Sequence, residues 1–301
     1  MIAVGVDAGG SHVVAAVGRD GEITASAGGG PANPTNVGID DAADAILRTI
    51  RKALGGALPD AIYVGAAGAA RDEVAQSLRS LIQSSFPRAI VEVGDDASIA
   101  LRSTIPSGPG IALVAGTGSI AIADDGIRTY RVGGLGSLLG DEGSAYWIGL
   151  QALRYTGRVY DGREPHGALS EYVARRMRAG SRSALLDAVY DRKPTVAAIA
   201  ALATGVIALA GKGEHKAIQI VEAAADELAA LAREVARISD LLERRPPIVL
   251  SGGLISAETP LRLGLERRLT RWIEGATIVY GTGRAHLGAL RIAESIAQGR
   301  S

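Results

Sequence analysis

The chain opens by alternating short apolar, β-branched runs with stretches in which apolar residues recur every three or four positions. IAVGVD (2–7) has a strand pattern, broken at Gly9-Gly10 and resumed at HVVAAVG (12–18). Asp20-Gly21 is a hairpin signal that leads into EITASA, so the chain starts as a meander of about three strands. IDDAADAILRTIRKAL (39–54) then puts Ile39, Ala43, Leu47, Ile50 and Leu54 on one helical face, with Ile46 beside them. AIYVGAA (61–67) predicts a strand, 70–86 a second helix, AIVEVG (89–94) a strand and DASIALRST a short helix. This alternation indicates an α/β layer.

From residue 111 the opening pattern returns. IALVAGTGSIAIADDGIRTYRVGG contains an apolar strand, a break at Gly116-Thr117-Gly118-Ser119, a second strand, an Asp125-Gly126 turn and a third strand. DAGGSHVV in the first copy answers AGTGSIAI in the second, which suggests two similar lobes. Residues 143–243 read as almost wholly helical. In the clearest helix, 216–242, Ala217, Val221, Ala224, Leu228, Leu231, Val235, Ile238 and Leu242 form a stripe, and Glu222, Glu227, Arg233, Glu234 and Arg237 lie off it. TVAAIAALATGVIALAG (195–211) is short for a membrane span, rich in alanine and bounded by Lys193-Pro194 and Lys212, so it predicts one buried helix. Pro246-Pro247 ends the helical region. Strand 247–253, helix 258–271, strand 276–281 and helix 284–297 follow.

Composition narrows the field. Apolar residues make up 47% and charged residues 21% of 301, which is globular rather than disordered. Lys+Arg and Asp+Glu both total 32, so the even balance argues against a nucleic-acid partner, and no basic tail is present to hold an anionic membrane. Cysteine is absent, which excludes disulfides, thiolate catalysis and cysteine-held metal clusters and fits a cytoplasmic protein. MIAVGVDAGG has no basic n-region and does not read as a signal peptide.

Four glycine-rich turns follow apolar strands: Asp7-Ala8-Gly9-Gly10-Ser11, Gly116-Thr117-Gly118-Ser119, Gly133-Gly134-Leu135-Gly136 and Ser251-Gly252-Gly253. Glycine lets backbone N–H groups approach an anion, and Ser or Thr adds a hydroxyl. A tight hairpin explains any one of them, but four together favour a phosphate cradle. None fits the Walker or dinucleotide-binding spacing. Carboxylates stand at strand ends: Asp7, the Asp95-Asp96 pair, and Asp141-Glu142. Ligands of α/β folds gather at those ends, and an Asp beside a phosphate loop suits Mg²⁺. Asp95 and Asp141 are equally readable as helix caps. The four histidines show no metal spacing, and no hydrolase triad is supported.

VGVDAGGSHVVAAV, GDDASIAL, VAGTGSIA, RVGGLGSLLGDEGSAYWIGLQAL and VLSGG resemble, in order, the signatures of the BadF/BadG/BcrA/BcrD-type ATPases, a group that includes N-acetylglucosamine kinases and archaeal-type hexokinases. The resemblance runs from residue 4 to about 290. It implies a two-lobed actin-like ATPase (ribonuclease H-like) α/β fold, each lobe a mixed sheet flanked by helices, with ATP and Mg²⁺ in a cleft between them. The lobes would be 1–109 and 110–301, with a helical insertion over about 143–243 and residues 284–301 packing back onto the first lobe. It implies that Asp7, Gly9, Gly10 and Ser11 form the first phosphate loop, with Asp7 near Mg²⁺ through water. Gly116, Thr117, Gly118 and Ser119 would form the second, and Gly252-Gly253 the adenosine segment. Asp96 matches the sugar kinases' catalytic base. Asn36, Thr117, Gly134 and Asp141 match sugar-side positions. Ser11 stands where the family more often has Thr; the hydroxyl is retained.

The family holds two kinds of protein. One drives dehydratases or reductases by ATP hydrolysis and carries a cysteine-held cluster, which a chain without cysteine cannot bind. The other phosphorylates sugars. The expectation is therefore an ATP-dependent kinase acting at C6 of N-acetylglucosamine, glucosamine or glucose; an ATP-hydrolysing regulator is the alternative. A small sugar is the expected partner, with no nucleic acid and no membrane, and a homodimer is inferred from the resemblance alone. In SLLGDEGSAYWIG (137–149), Gly140 and Asp141 are expected to open a helix that Tyr146 and Trp147 pack into the lobe.

Overall fold

The structure, a computed structural model, describes residues 1–10, 12–19, 22–66, 68–69 and 71–299; Ser11 and the Asp20-Gly21 turn signal lie outside the described residues. The chain forms two compact units. Met1–Gly108 and Gly281–Ser301 make the first, and Pro109–Tyr280 makes the second.

In the first unit, strands β1 (Ile2–Ala8), β2 (Val13–Arg19) and β3 (Glu22–Gly29) form the antiparallel meander. Strands β4 (Ala61–Ala66) and β5 (Ile90–Gly94) join β1 in parallel, giving the order β3-β2-β1-β4-β5. The central strands read as near-continuous apolar runs because helices cover both faces. One face carries α2 (Ile39–Leu54) and α3 (Asp72–Ser85), reached after the single turn α1 (Pro34–Val37). The other carries α4 (Asp96–Thr104) and α12 (Ala285–Ala297), with Leu290 and Ile99 against Ala3, Ala16 and Tyr63. A Cβ at Gly5 would collide with the Leu290 backbone, so α12 lies directly on β1. Arg291 donates through Nη1 to the carbonyls of Arg102 and Ser103 at 2.8 and 2.9 Å, satisfying the end of α4.

The second unit repeats this wiring. β6 (Gly110–Ala115), β7 (Ser119–Asp124) and β8 (Thr129–Gly133) form a meander, and β9 (Pro247–Ser251) and β10 (Thr277–Tyr280) add in parallel to β6, in the order β10-β9-β6-β7-β8. Its core is built by α5 (Ala145–Tyr160), α6 (Ala168–Met177), α7 (Arg182–Leu186), α8 (Val196–Ala200), α9 (Ala203–Gly211), α10 (His215–Ile238) and α11 (Pro260–Trp272). Tyr146 and Trp147 pack against that core, as expected.

Three details differ from the sequence expectation. The run 195–211 is two helices rather than one: the Tyr172 hydroxyl donates to the Leu202 carbonyl at 3.2 Å, and its ring lies where a side chain at Gly205 would stand, which stabilises the break. The long helix stops at Ile238, because Ser239 turns its hydroxyl back onto the Val235 carbonyl at 2.7 Å and Asp240 adopts φ 54. The helix after SLLGDEG starts at Ala145, not at Gly140-Asp141, and Ser144 is its cap, accepting the Trp147 N–H at 3.2 Å. Among the described residues, no single helix is long and apolar enough to cross a membrane.

Candidate functional site

In the first unit, three parallel strands end in one row. Asp7 of β1 is in register with Gly65 of β4, and Gly65 with Gly94 of β5. With strands about 4.8 Å apart, this row puts Asp7 and the exit of β5 roughly 10 Å from each other on the carboxyl edge of the sheet. Asp96 follows that exit as the first residue of α4, and it is partly buried. Asp95 is the cap of the helix: its Oδ1 accepts the Ser98 N–H at 2.7 Å. Of two adjacent acids, one is thus committed to the helix end and the other starts the helix beside the edge.

The turn after β1 is closed on itself. The Gly9 N–H donates to the His12 carbonyl at 3.0 Å, and the Gly9 carbonyl accepts from Ala32 at 3.1 Å. Gly9 therefore shapes the turn rather than offering a donor, and the Gly10 amide is left without a partner among the described residues. Asn36, exposed on α1, has its Nδ2 3.4 Å from where a Cβ of Gly10 would stand. Asn36 and the first glycine turn are neighbours. Burial pushes the Asp7 carboxyl above the usual carboxylate range, opposed by the charge of His12. A half-buried carboxylate of this kind fits a hard cation that would restore its charge. Among the described residues, no three His, Cys, Asp or Glu side chains come together. That donor set suits an ion held by one carboxylate together with phosphate and water, the habit of Mg²⁺, rather than an all-protein cage.

In the second unit, the turn between β6 and β7 is oriented by a helix. The Ala145 and Tyr146 amides, first in α5, donate to the carbonyls of Gly116 and Thr117 at 3.0 and 3.2 Å. A trans peptide points its C=O and N–H in opposite directions. The peptides that turn their carbonyls toward α5 therefore turn the N–H groups of Thr117 and Gly118 away from it. Those two amides have no partner among the described residues, and Thr117 is exposed. Two parallel N–H groups on a glycine turn form an anion-binding concavity. The start of α5 is itself no anion site, since its first amides are all committed.

Ser119 has a different part from the one expected of it. Its amide donates to Asp141 Oδ1 at 3.1 Å, its hydroxyl to the Glu142 carbonyl at 2.7 Å, and its carbonyl accepts the Gly134 N–H at 2.9 Å. It is 2% exposed and ties the second turn to both ends of the segment between β8 and α5, so neither donor is open to a ligand. Gly134 is held further by Arg131, whose Nη2 donates to its carbonyl at 2.7 Å. Asp141 sits at φ 60 with 8% exposure, its carboxylate filling the space a side chain at Gly118 would need. Burial and the charge of Glu142 raise its carboxyl, against the Ser119 hydrogen bond. The sequence offered no local signal for this clip, because its partners are 22 and 23 residues apart.

The fourth turn adjoins the second. Gly252 has φ 97 and lies so close to Ala115 that a Cβ would overlap the Ala115 carbonyl, to which the Leu254 amide donates at 3.1 Å. Gly253 is exposed, and a Cβ there would meet nothing within 4 Å. Thr117, Gly118, Asp141, Gly134, Gly252 and Gly253 thus gather at the carboxyl ends of β6 and β9.

Two mixed sheets of the same order, each with glycine turns and carboxylates at its carboxyl edge, define the actin-like ATPase fold. A Chromobacterium violaceum structure named as a candidate N-acetylglucosamine kinase superimposes with a TM-score of 0.75 at 27% identity, over 96% of this chain and 97% of that one. The chain belongs to the BadF/BadG/BcrA/BcrD ATPase family, whose model matches residues 4–293. It is 31% identical over 198 residues to the N-acetylmuramic acid/N-acetylglucosamine kinase of Clostridium acetobutylicum, covering 65% of this chain and 64% of that protein. It is 30% identical over 176 residues to a glucosamine kinase of Vibrio cholerae, covering 56% of this chain and 59% of that protein. The matched parts therefore span less than two thirds of either relative.

Proposed function

We propose that this protein is an ATP-dependent sugar kinase that transfers the γ-phosphoryl group to the C6 hydroxyl of a hexose or amino sugar, with N-acetylglucosamine, glucosamine and glucose as the candidate acceptors. The observation that carries this reading is the register row Asp7–Gly65–Gly94, which sets Asp7 and Asp96 on one carboxyl edge with Asn36 against the neighbouring glycine turn. The names of the two relatives, both amino-sugar kinases, agree with it.

The chemistry asks little covalent work of the protein: positioning and charge stabilisation dominate phosphoryl transfer. Asp96 accepts the proton of the sugar hydroxyl as its oxygen attacks the γ-phosphorus in line and the bond to the β-phosphate oxygen breaks. The Thr117 and Gly118 amides donate to phosphoryl oxygens, whose added charge they stabilise without reorganising. Gly252-Gly253 leaves open backbone for the nucleoside. Asp7 would hold Mg²⁺ through water, and the ion would neutralise charge on the phosphates. Asn36 binds a sugar hydroxyl. Asp141 acts at one remove, because its carboxylate fixes the second turn through Ser119.

The test is ADP release from MgATP with glucose, glucosamine, N-acetylglucosamine and N-acetylmuramic acid in turn. Stimulation by at least one, with the phosphate recovered on C6, is expected. No stimulation by any of them, with ATP hydrolysis intact, would replace the kinase by an ATP-hydrolysing regulator.

A further inference from the structure

The helical part of the second unit carries a pocket far along α5 from the glycine turns. Arg154, Arg158 and Asp161, at four- and three-residue spacing, lie with Gly157 on one face of α5 and at its end; Arg163, Arg182, Leu185 and Leu186 close the other side around a cavity of about 310 Å³. Asp161 orients two of the guanidiniums, accepting from Arg163 Nη2 at 2.6 Å and Arg182 Nε at 3.2 Å, and Arg158 faces Glu164 at 3.6 Å. Arg154 makes no hydrogen bond or ion pair among the described residues. Four guanidiniums therefore meet Asp161 in the lining and Glu164 beside it, and Glu164 is shared with Lys216 at 3.6 Å. The negative end of the α5 dipole subtracts about half a charge more, which leaves the pocket net positive.

Gly157 is an independent pointer. It lines this pocket and lies inside a helix, where glycine is the poorest former but proline. Nothing in the packing requires it: an added Cβ would meet only Leu185 Cδ2, at an ordinary 3.9 Å. Elsewhere in α5, Gly149 is crowded by the Ile199 backbone and has a steric reason to be glycine. What Gly157 does supply is a stretch of pocket lining with no side chain on it.

We infer that this pocket binds the phosphoryl group of a small phosphorylated anion, separately from the glycine turns. Guanidinium forks match phosphate oxygens in pairs, and a doubly charged phosphate gains from the excess charge. The volume exceeds a bare phosphate, and Leu185 and Leu186 offer an apolar wall for an organic body. Two sources share this chemistry, inorganic phosphate and a phosphate ester. Isothermal titration of the full chain with inorganic phosphate and with glucose 6-phosphate, at ionic strength matched with NaCl, separates them by which binds more tightly. Arg154→Gln/Arg182→Gln is expected to weaken the tighter ligand tenfold or more. Gly157→Met, which keeps every charge and puts a good helix former in the helix, is expected to weaken it as well without lowering Tm. Wild-type affinity in both variants, or equal displacement by NaCl alone, would overturn the site.

Discussion

The Ala145 N–H donates to the Gly116 carbonyl at 3.0 Å, and together with the Tyr146 bond to Thr117 it turns the second glycine turn's carbonyls toward α5. Ala145 is the first residue of its helix, where proline is tolerated because the helix does not need that N–H. Ser144 before it is already extended, at φ −70 and ψ 172, as a residue preceding proline must be. Ala145→Pro should keep α5 while removing one bond that orients the turn. A stability loss of about 1 kcal/mol by urea unfolding is expected, together with weaker ATP binding by titration. Unchanged ATP affinity would mean that the Tyr146 bond alone holds the turn.

Asp141→Asn separates the structural cost of the clip from its use. Asparagine accepts φ 60 and its carbonyl oxygen can still take the Ser119 N–H. The folded-state pKa of Asp141 is raised, so the unfolded chain loses this proton at lower pH than the folded one. Stability is therefore highest below the ordinary carboxylate range and falls as pH rises through the raised value. The variant lacks that fall. Thermal melts should show it more stable than the parent at pH 7, with the difference shrinking toward pH 4 (about the ordinary carboxyl value). A constant difference across this range would contradict a buried, charged Asp141.

Asp7→Asn follows the same sign, since burial raises its carboxyl too. Its consequence for ligands is opposite. The parent should gain Tm from MgATP beyond that from ATP in EDTA, and the variant should lose most of that extra gain. An equal magnesium increment in both proteins would remove Asp7 from the cation site.

Gly252→Ala introduces a methyl against the Ala115 carbonyl at a residue held at φ 97. The exit of β9 must move away from β6 or the backbone must strain, at a cost of about 1–3 kcal/mol. Chemical denaturation should report that loss and titration a lower ATP affinity. Gly253→Ala, with no protein atom within 4 Å of the added methyl, is the control expected to keep the parental stability.

Asp96→Asn should lower sugar-dependent ADP release by about 10²–10⁴-fold, the usual worth of a general base. MgATP affinity should change little, and Asp95 is still there to cap α4. Near-parental turnover in the variant would move the base elsewhere.

Much of this was legible in residue pattern. The three-strand openings, the parallel strands after them and the turns at Gly9-Gly10, Gly116-Thr117-Gly118 and Gly252-Gly253 all follow from local periodicity and punctuation. What pattern could not give was direction and long-range pairing. Ser119 looks like a phosphate ligand because a hydroxyl follows two glycines, yet its donors turn inward to Asp141 and Glu142. The helix start at Ser144 was masked by two acids at Asp141-Glu142 that would suit a helix end equally well. The break at Leu202 depends on the Tyr172 hydroxyl, 30 residues upstream, in a run whose own composition is uniformly helical.

The second unit is one unbroken stretch of chain, but the first is sealed only by α12, which arrives after Tyr280. On the ribosome, β1 through α4 must therefore wait, with Ala3, Ala16 and Ile99 uncovered, while all 172 residues from Pro109 to Tyr280 are made and become free to fold. A chain truncated just past Tyr280 keeps every residue of the second unit but leaves Ala3, Ala16 and Ile99 without the helix that packs on them.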